Sequence, residues 1–98
     1  MNLDTTTRSL EVLYEATKTT TEPVFSLSYA DALSGHQPLA YNFKMSTGAT
    51  NGTTVVAMAQ APAANTTRMV SEFTIYNSDS VSHTFTIQIN DNGTKYII

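Results

Sequence analysis

Between Thr84 and Ile89 every second position carries a large apolar residue: Phe85, Ile87 and Ile89 alternate with Thr84, Thr86 and Gln88. Successive side chains of a strand point to opposite sides, so a period of two marks a β-strand with one buried face. The same pattern recurs. Phe25, Leu27 and Tyr29 alternate with Ser26 and Ser28, and Leu39, Tyr41, Phe43 and Met45 with Ala40, Asn42 and Lys44. Phe73 and Ile75 are flanked by Glu72 and Thr74, which predicts another half-buried strand. The run from Thr54 to Ala59 is apolar on both faces and predicts a more central or doubly covered strand. Composition points the same way. Seventeen threonines and nine serines occupy a chain of 98 residues, and threonine is stiff at χ1 and suited to strands.

Turn chemistry separates these runs. Pro23 and Pro38 precede two of them, where a missing N–H costs least. The stretch from Ser46 to Gly52 reads as a flexible loop with an Asn51-Gly52 turn signal, and Pro62 keeps residues 61–65 out of a helix. Asn77-Ser78-Asp79-Ser80 joins two strong strands, because these side chains can bond turn backbone themselves. Asn90-Asp91-Asn92-Gly93 joins Ile89 to Thr94, and Asn-Gly supplies the positive φ angles of a tight hairpin. From Thr67 onward these signals predict a three-stranded antiparallel meander.

The first twenty-two residues are read as an extended arm. Leu10, Val12 and Tyr14 alternate with Ser9, Glu11 and Leu13, which favours a strand over a short helix from Thr7 to Ala16. Threonine clusters at 5–7 and 19–21 favour extended chain around it. At the other end Thr94–Ile98 reads as a strand that stops on Ile97 and Ile98, so the expectation is an open sheet edge. Either the natural chain continues there or a partner supplies the next strand. The predicted fold is all-β: a single antiparallel β-sandwich, jelly-roll-like, over 23–98, with 1–22 as an N-terminal arm.

Composition excludes several functions. A net charge of −3 with five basic residues leaves no basic patch for nucleic acid. Without cysteine there are no disulfides, thiolate zinc sites or cysteine nucleophiles. No apolar run approaches the ~20 residues of a membrane-spanning helix, and the leading residues carry no basic-then-apolar secretory pattern. A chain this long hides about 65% of its unfolded surface, enough for one thin core without a deep substrate cavity.

Candidate chemistry is sparse. His36 and His83 are the groups that titrate near neutrality, and Ser82, His83 and Asp79 sit close enough in sequence to suggest a triad. No Gly-x-Ser-x-Gly elbow accompanies them, so His83 is expected at a hairpin edge, exposed or bonded to turn backbone. Asp79, Asn90, Asp91 and Asn92 offer oxygen ligands, but the bidentate Glu of an EF-hand loop is missing, and the stretch reads as a turn. Three Asn-x-Thr matches, at 51, 65 and 92, are near chance for this composition. The aromatics Phe25, Tyr29, Tyr41, Phe43, Phe73 and Phe85 are expected in the core. No catalytic residue, metal ligand or cofactor is assigned, and the expectation is a protein that is not an enzyme.

Two segments carry a resemblance. Leu3-Asp4-Thr5-Thr6-Thr7-Arg8-Ser9-Leu10-Glu11-Val12 is the first. The second runs from the connector Ala61-Pro62-Ala63-Ala64-Asn65 and Arg68, through Phe73-Thr74-Ile75-Tyr76-Asn77 and Ser78–Thr84, to Asn90-Asp91-Asn92-Gly93. Together they resemble small β-rich virion proteins of tailed bacteriophages and prophages, which usually continue past the last strand. The resemblance implies a structural protein of the virion, a head decoration or cement protein or a neck-associated one, assembled in the bacterial cytoplasm. Its partners would be capsid or connector subunits and further copies of itself. Leu3, Leu10, Val12, Leu13 and Tyr14 are the expected arm contact; Tyr96, Ile97 and Ile98 are the expected edge contact. A tail or fibre component carrying a receptor-binding part is the alternative in that setting. A carbohydrate-binding module is the alternative of another class, and it needs exposed tyrosines on one flat face.

Overall fold

The computed structural model describes residues 1–33 and 41–98. The strands are β1 (Asn2–Leu3), β2 (Arg8–Tyr14), β3 (Val24–Leu33), β4 (Tyr41–Ala49), β5 (Val56–Ala59), β6 (Thr66–Tyr76), β7 (Phe85–Asp91) and β8 (Thr94–Ile97). They form two four-stranded sheets, ordered β1-β6-β3-β4 and β5-β2-β7-β8, and every pairing is antiparallel. The expected all-β sandwich is the observed one. Leu3, Leu10, Val12, Phe25, Leu27, Met58, Ala59 and Val70 form the core between the sheets, flanked by half-buried Phe85, Ile87 and Ile89.

The leading residues are not an arm. Leu3 pairs with Arg68 at the edge of the first sheet, and the Val70 N–H donates to the Met1 carbonyl at 2.8 Å. Thr5–Thr7 turn the chain across the sandwich: the Thr7 hydroxyl donates to Asp91 at 2.6 Å, and the Thr7 carbonyl accepts the Asn92 N–H at 3.1 Å. The chain then enters β2, which lies between β5 and β7 in the second sheet. The strand expected around Leu10, Val12 and Tyr14 is present, but its apolar face is central core. A strand with two neighbours and a covered face has nothing left to extend.

The meander is also corrected. β6 pairs with β3 from Val24↔Tyr76 to Leu33↔Thr66, whereas β7 pairs with β2 from Arg8↔Asp91 to Tyr14↔Phe85. Residues 77–84 therefore cross from one sheet to the other. The turn chemistry is real, since Asn77 Nδ2 donates to the Val81 carbonyl at 2.9 Å and the Asp79 N–H to Asn77 Oδ1 at 3.1 Å. Only the pairing inferred from it differs. The β7–β8 hairpin turns as expected, with φ of 50° at Asn92 and 96° at Gly93, both left-handed as a type I′ turn requires.

β4 runs through Ser46–Ala49, which the sequence reading makes a loop, and its apolar face is reversed. Residues paired across a sheet share a face. Ser28↔Met45 and Ala30↔Phe43 put Phe43 and Met45 outside, 79% and 70% exposed, while Phe25↔Gly48 and Leu27↔Ser46 face the core. Phe25 and Leu27 take the interior, so β4 contributes small residues there. A Cβ on Gly48 would lie 2.8 Å from Phe25 Cζ, so the ring occupies the space a side chain would need. Leu39, Ala40 and His36 lie outside the described residues. The doubly apolar run at 54–59 is not central: among the described residues β5 has β2 alone as a neighbour. Leu10↔Ala59 is followed by Glu11↔Ala57, so Met58 is an extra residue, and this bulge lets Met58 and Ala59 both be buried.

Candidate functional site: an open edge, an apolar face and a histidine clamp

β8 stands at the edge of the second sheet with β7 as its neighbour, through Gln88↔Ile97, Ile89↔Tyr96, Asn90↔Lys95 and Asp91↔Thr94. The Ile98 N–H extends the ladder by donating to the Ile87 carbonyl at 2.9 Å. Tyr96 shares the inward face with Ile89, yet it stays 56% exposed. Asn2, Arg8, Ile89 and Tyr96 line one open groove, which leaves the Tyr96 ring partly uncovered. Ile97 points the other way and is 75% exposed, and Ile98 is exposed as well. Three large exposed apolar side chains thus follow one another along the end of β8 and the residue after it.

A second apolar surface lies on the outer face of the first sheet, where Val24, Phe43, Met45 and Tyr76 are exposed. An open groove of about 450 Å³ runs beside Val24, Ser26, Thr47, Thr74 and Tyr76, and among the described residues no acid, histidine or lysine lines it. The exposed tyrosines Tyr76 and Tyr96 belong to different sheets. Tyr29 is half-buried under the Arg68 guanidinium, 4.5 Å from the ring centre, and Arg68 forks onto Asp31 at 2.9 and 3.0 Å.

The crossing at 77–84 is locked to residues 15–22 by charge. His83 Nε2 lies 2.6 Å from Asp79 Oδ2, and Nδ1 lies 2.9 Å from Glu15 Oε1, with the imidazole side chain 2% exposed. Asp79 also accepts the backbone N–H groups of Thr19, Thr20, Thr21 and Ser80. Burial pushes the Asp79 carboxyl up, but the bonds from His83, Thr19, Thr20 and Ser80 outweigh it and hold it far below the usual carboxylate range. Asp79 first and Glu15 second raise the His83 pKa. The Tyr14 ring packs 4.5 Å from the imidazole, and its hydroxyl donates to Glu22 at 2.8 Å. Burial, then that carboxylate, pushes the Tyr14 phenol up to about 12. The sequence reading has His83 exposed or bonded to turn backbone; it is instead held by two carboxylates. Carboxylates engage both ring nitrogens, and Ser82 is not among its partners.

The remaining acids have equally local uses. Burial raises the Glu11 carboxyl, but bonds from Asn90, Gln88 and Lys95, at 3.0, 2.9 and 3.1 Å, bring it below its ordinary value. Asp91 accepts the Thr7 hydroxyl and the Arg8 guanidinium. The Asn90 side-chain oxygen caps the hairpin by accepting the Gly93 N–H at 2.8 Å. The side-chain oxygens of Asp79, Asn90 and Asp91, three of the four the sequence offers as calcium ligands, are thus taken up in turn and strand bonds. No group of three or more metal-ligating side chains occurs among the described residues.

The expected contact residues divide sharply. Leu3, Leu10, Val12 and Tyr14 are at most 1% exposed, so they fill the protein's own core instead of forming the expected arm contact. Leu13 is half-buried on the outer side of β2. Tyr96, Ile97 and Ile98 remain on the surface. Sequence reading missed Phe43 and Met45, whose alternation gives a strand without saying which side the core lies on, and Glu15, which is 68 residues from His83. No family model matches the chain, and comparisons with curated proteins and with solved structures find no match either.

Proposed function

We propose that this chain is a structural subunit of a tailed-phage virion, a head decoration, cement or neck-associated protein. In this role it docks capsid or connector subunits through the β8 edge. The observation that carries the docking role is the exposure of Tyr96 and Ile97 on β8, a strand paired on one side among the described residues, and of Ile98 just after it. An edge of this kind offers backbone groups for strand addition and apolar side chains for the partner's surface. The virion setting rests on the sequence resemblance alone. The test is mass spectrometry of purified particles carrying either the natural chain or Ile97→Lys. Multiple copies of the natural chain, with a several-fold loss for the folded Ile97→Lys protein, are expected. Particles that lack the natural chain, or that take up both equally, would overturn the reading.

A further inference from the structure

β4 is a nine-residue edge strand, whereas β5 and β8 have four residues each and β1 has two. Exposed edges are normally blunted by proline, bulges, charge or brevity. β4 contains no proline and one charged residue, Lys44, and its pairing with β3 runs without a shift from Val24↔Ala49 to Ala32↔Tyr41. The backbone phase is also set. The Thr50 N–H donates to the Pro23 carbonyl at 2.9 Å, so Thr50 and every second residue before it bond to β3. Met45, Thr47 and Ala49 therefore aim their N–H and C=O groups away from the sheet.

We infer that β4 pairs antiparallel with β4 of a second copy, about a two-fold axis through Met45. Met45 is the midpoint of Tyr41–Ala49, so this register matches the whole strand to itself and opposes residues whose backbone groups already face outward. It sets Lys44 opposite Ser46 of the other copy, which avoids a like-charge pair. On the outer face it brings Met45 against the other Met45, with Phe43 of each copy beside it. Both side chains are large, apolar and mostly exposed. Among the described residues none of the other edge strands is long enough to cover β4, so a second β4 fits best. Nine residues a side fall short of the roughly 20–30 of a standard interface, so the dimer is concentration-dependent.

The contact is separate from the β8 edge, and the test keeps them apart. Sedimentation velocity on the full chain from micromolar to millimolar concentration should show a reversible dimer. Thr47→Pro removes an outward N–H without touching the bonds to β3, and should raise the dissociation constant at least tenfold while the protein keeps its circular dichroism. Met45→Lys and Met45→Glu should each be monomeric and should dimerise when mixed, because their charges then face each other. Met45→Cys gives the chain its one thiol and should form a disulfide-linked dimer faster than Ile97→Cys. A monomer throughout the range, a dimer indifferent to Thr47→Pro in a folded protein, or faster crosslinking through Ile97→Cys would overturn the inference.

Discussion

Truncating Leu3 to alanine separates a core strand from an arm. Leu3 is 0% exposed, two residues from the observed start of the chain, and packs with Leu10, Val12 and Val70. The change removes three carbons, about 2.4 kcal/mol of transfer at ~0.8 per methylene. The cavity left behind adds to this, as in leucine-to-alanine series whose losses run from roughly 2.7 to 5.0 kcal/mol. A loss of about 3 kcal/mol is therefore expected, which for a domain of this size lowers Tm by about 12–24 °C. Urea and thermal unfolding followed by circular dichroism would measure it, with Ile97→Ala, at an exposed position, expected within about 0.5 kcal/mol of the natural protein. If Leu3→Ala costs less than about 1 kcal/mol, the leading segment does not hold the sheets together and the fold described here is wrong at that edge.

Other consequences follow from the same contacts. Gly48→Ala should cost about 1–3 kcal/mol, because its Cβ would meet Phe25 Cζ at 2.8 Å, and Phe25→Leu in the same chain should recover part of that in a double-mutant cycle. Gly52→Ala meets both a φ of +60° and the Ala16 carbonyl at 3.2 Å, whereas Gly93→Ala meets only a φ of +96° in open space. Gly52→Ala should therefore be the more damaging of the two, beyond the roughly 1–2 kcal/mol of left-handed strain they share; equal urea midpoints would contradict this. The clamp gives a two-sided pH profile. His83 has a raised pKa, so its contribution is complete below the unfolded imidazole value of about 6.5 and is lost as pH rises through the folded value. Glu15, held down first by His83, Asp79, Glu11 and Asp91 have lowered values, so their contributions are present above about pH 4 and are lost as pH falls. Urea midpoints should peak between about pH 5 and 6.5, and His83→Gln should flatten the alkaline side.

Local signals were legible and long-range ones were not. Phe85, Ile87 and Ile89 announce their strand, and Asn92-Gly93 its hairpin, because both depend on residues a few positions apart. The fate of Thr5–Thr7 depended on Asp91 and Asn92, more than eighty residues away, and threonine content alone does not separate a bonded turn from a loose arm. Asn77–Ser80 reads as a turn in isolation, but its Asp79 binds the backbone of Thr19–Thr21. That anchoring fits a loop that crosses between sheets. For β4 the period was correct and the phase was not, since Phe25 and Gly48 decide which face turns inward.

Residue-resolved amide hydrogen exchange on the dilute chain tests the architecture most directly. The account predicts the slowest exchange at Leu10, Val12 and Val70, and rapid exchange at Met45 and Thr47, whose amides point away from the sheet. Fast exchange throughout residues 2–14, or protection at Met45 and Thr47 matching that of Val12 in a monomer, would contradict it.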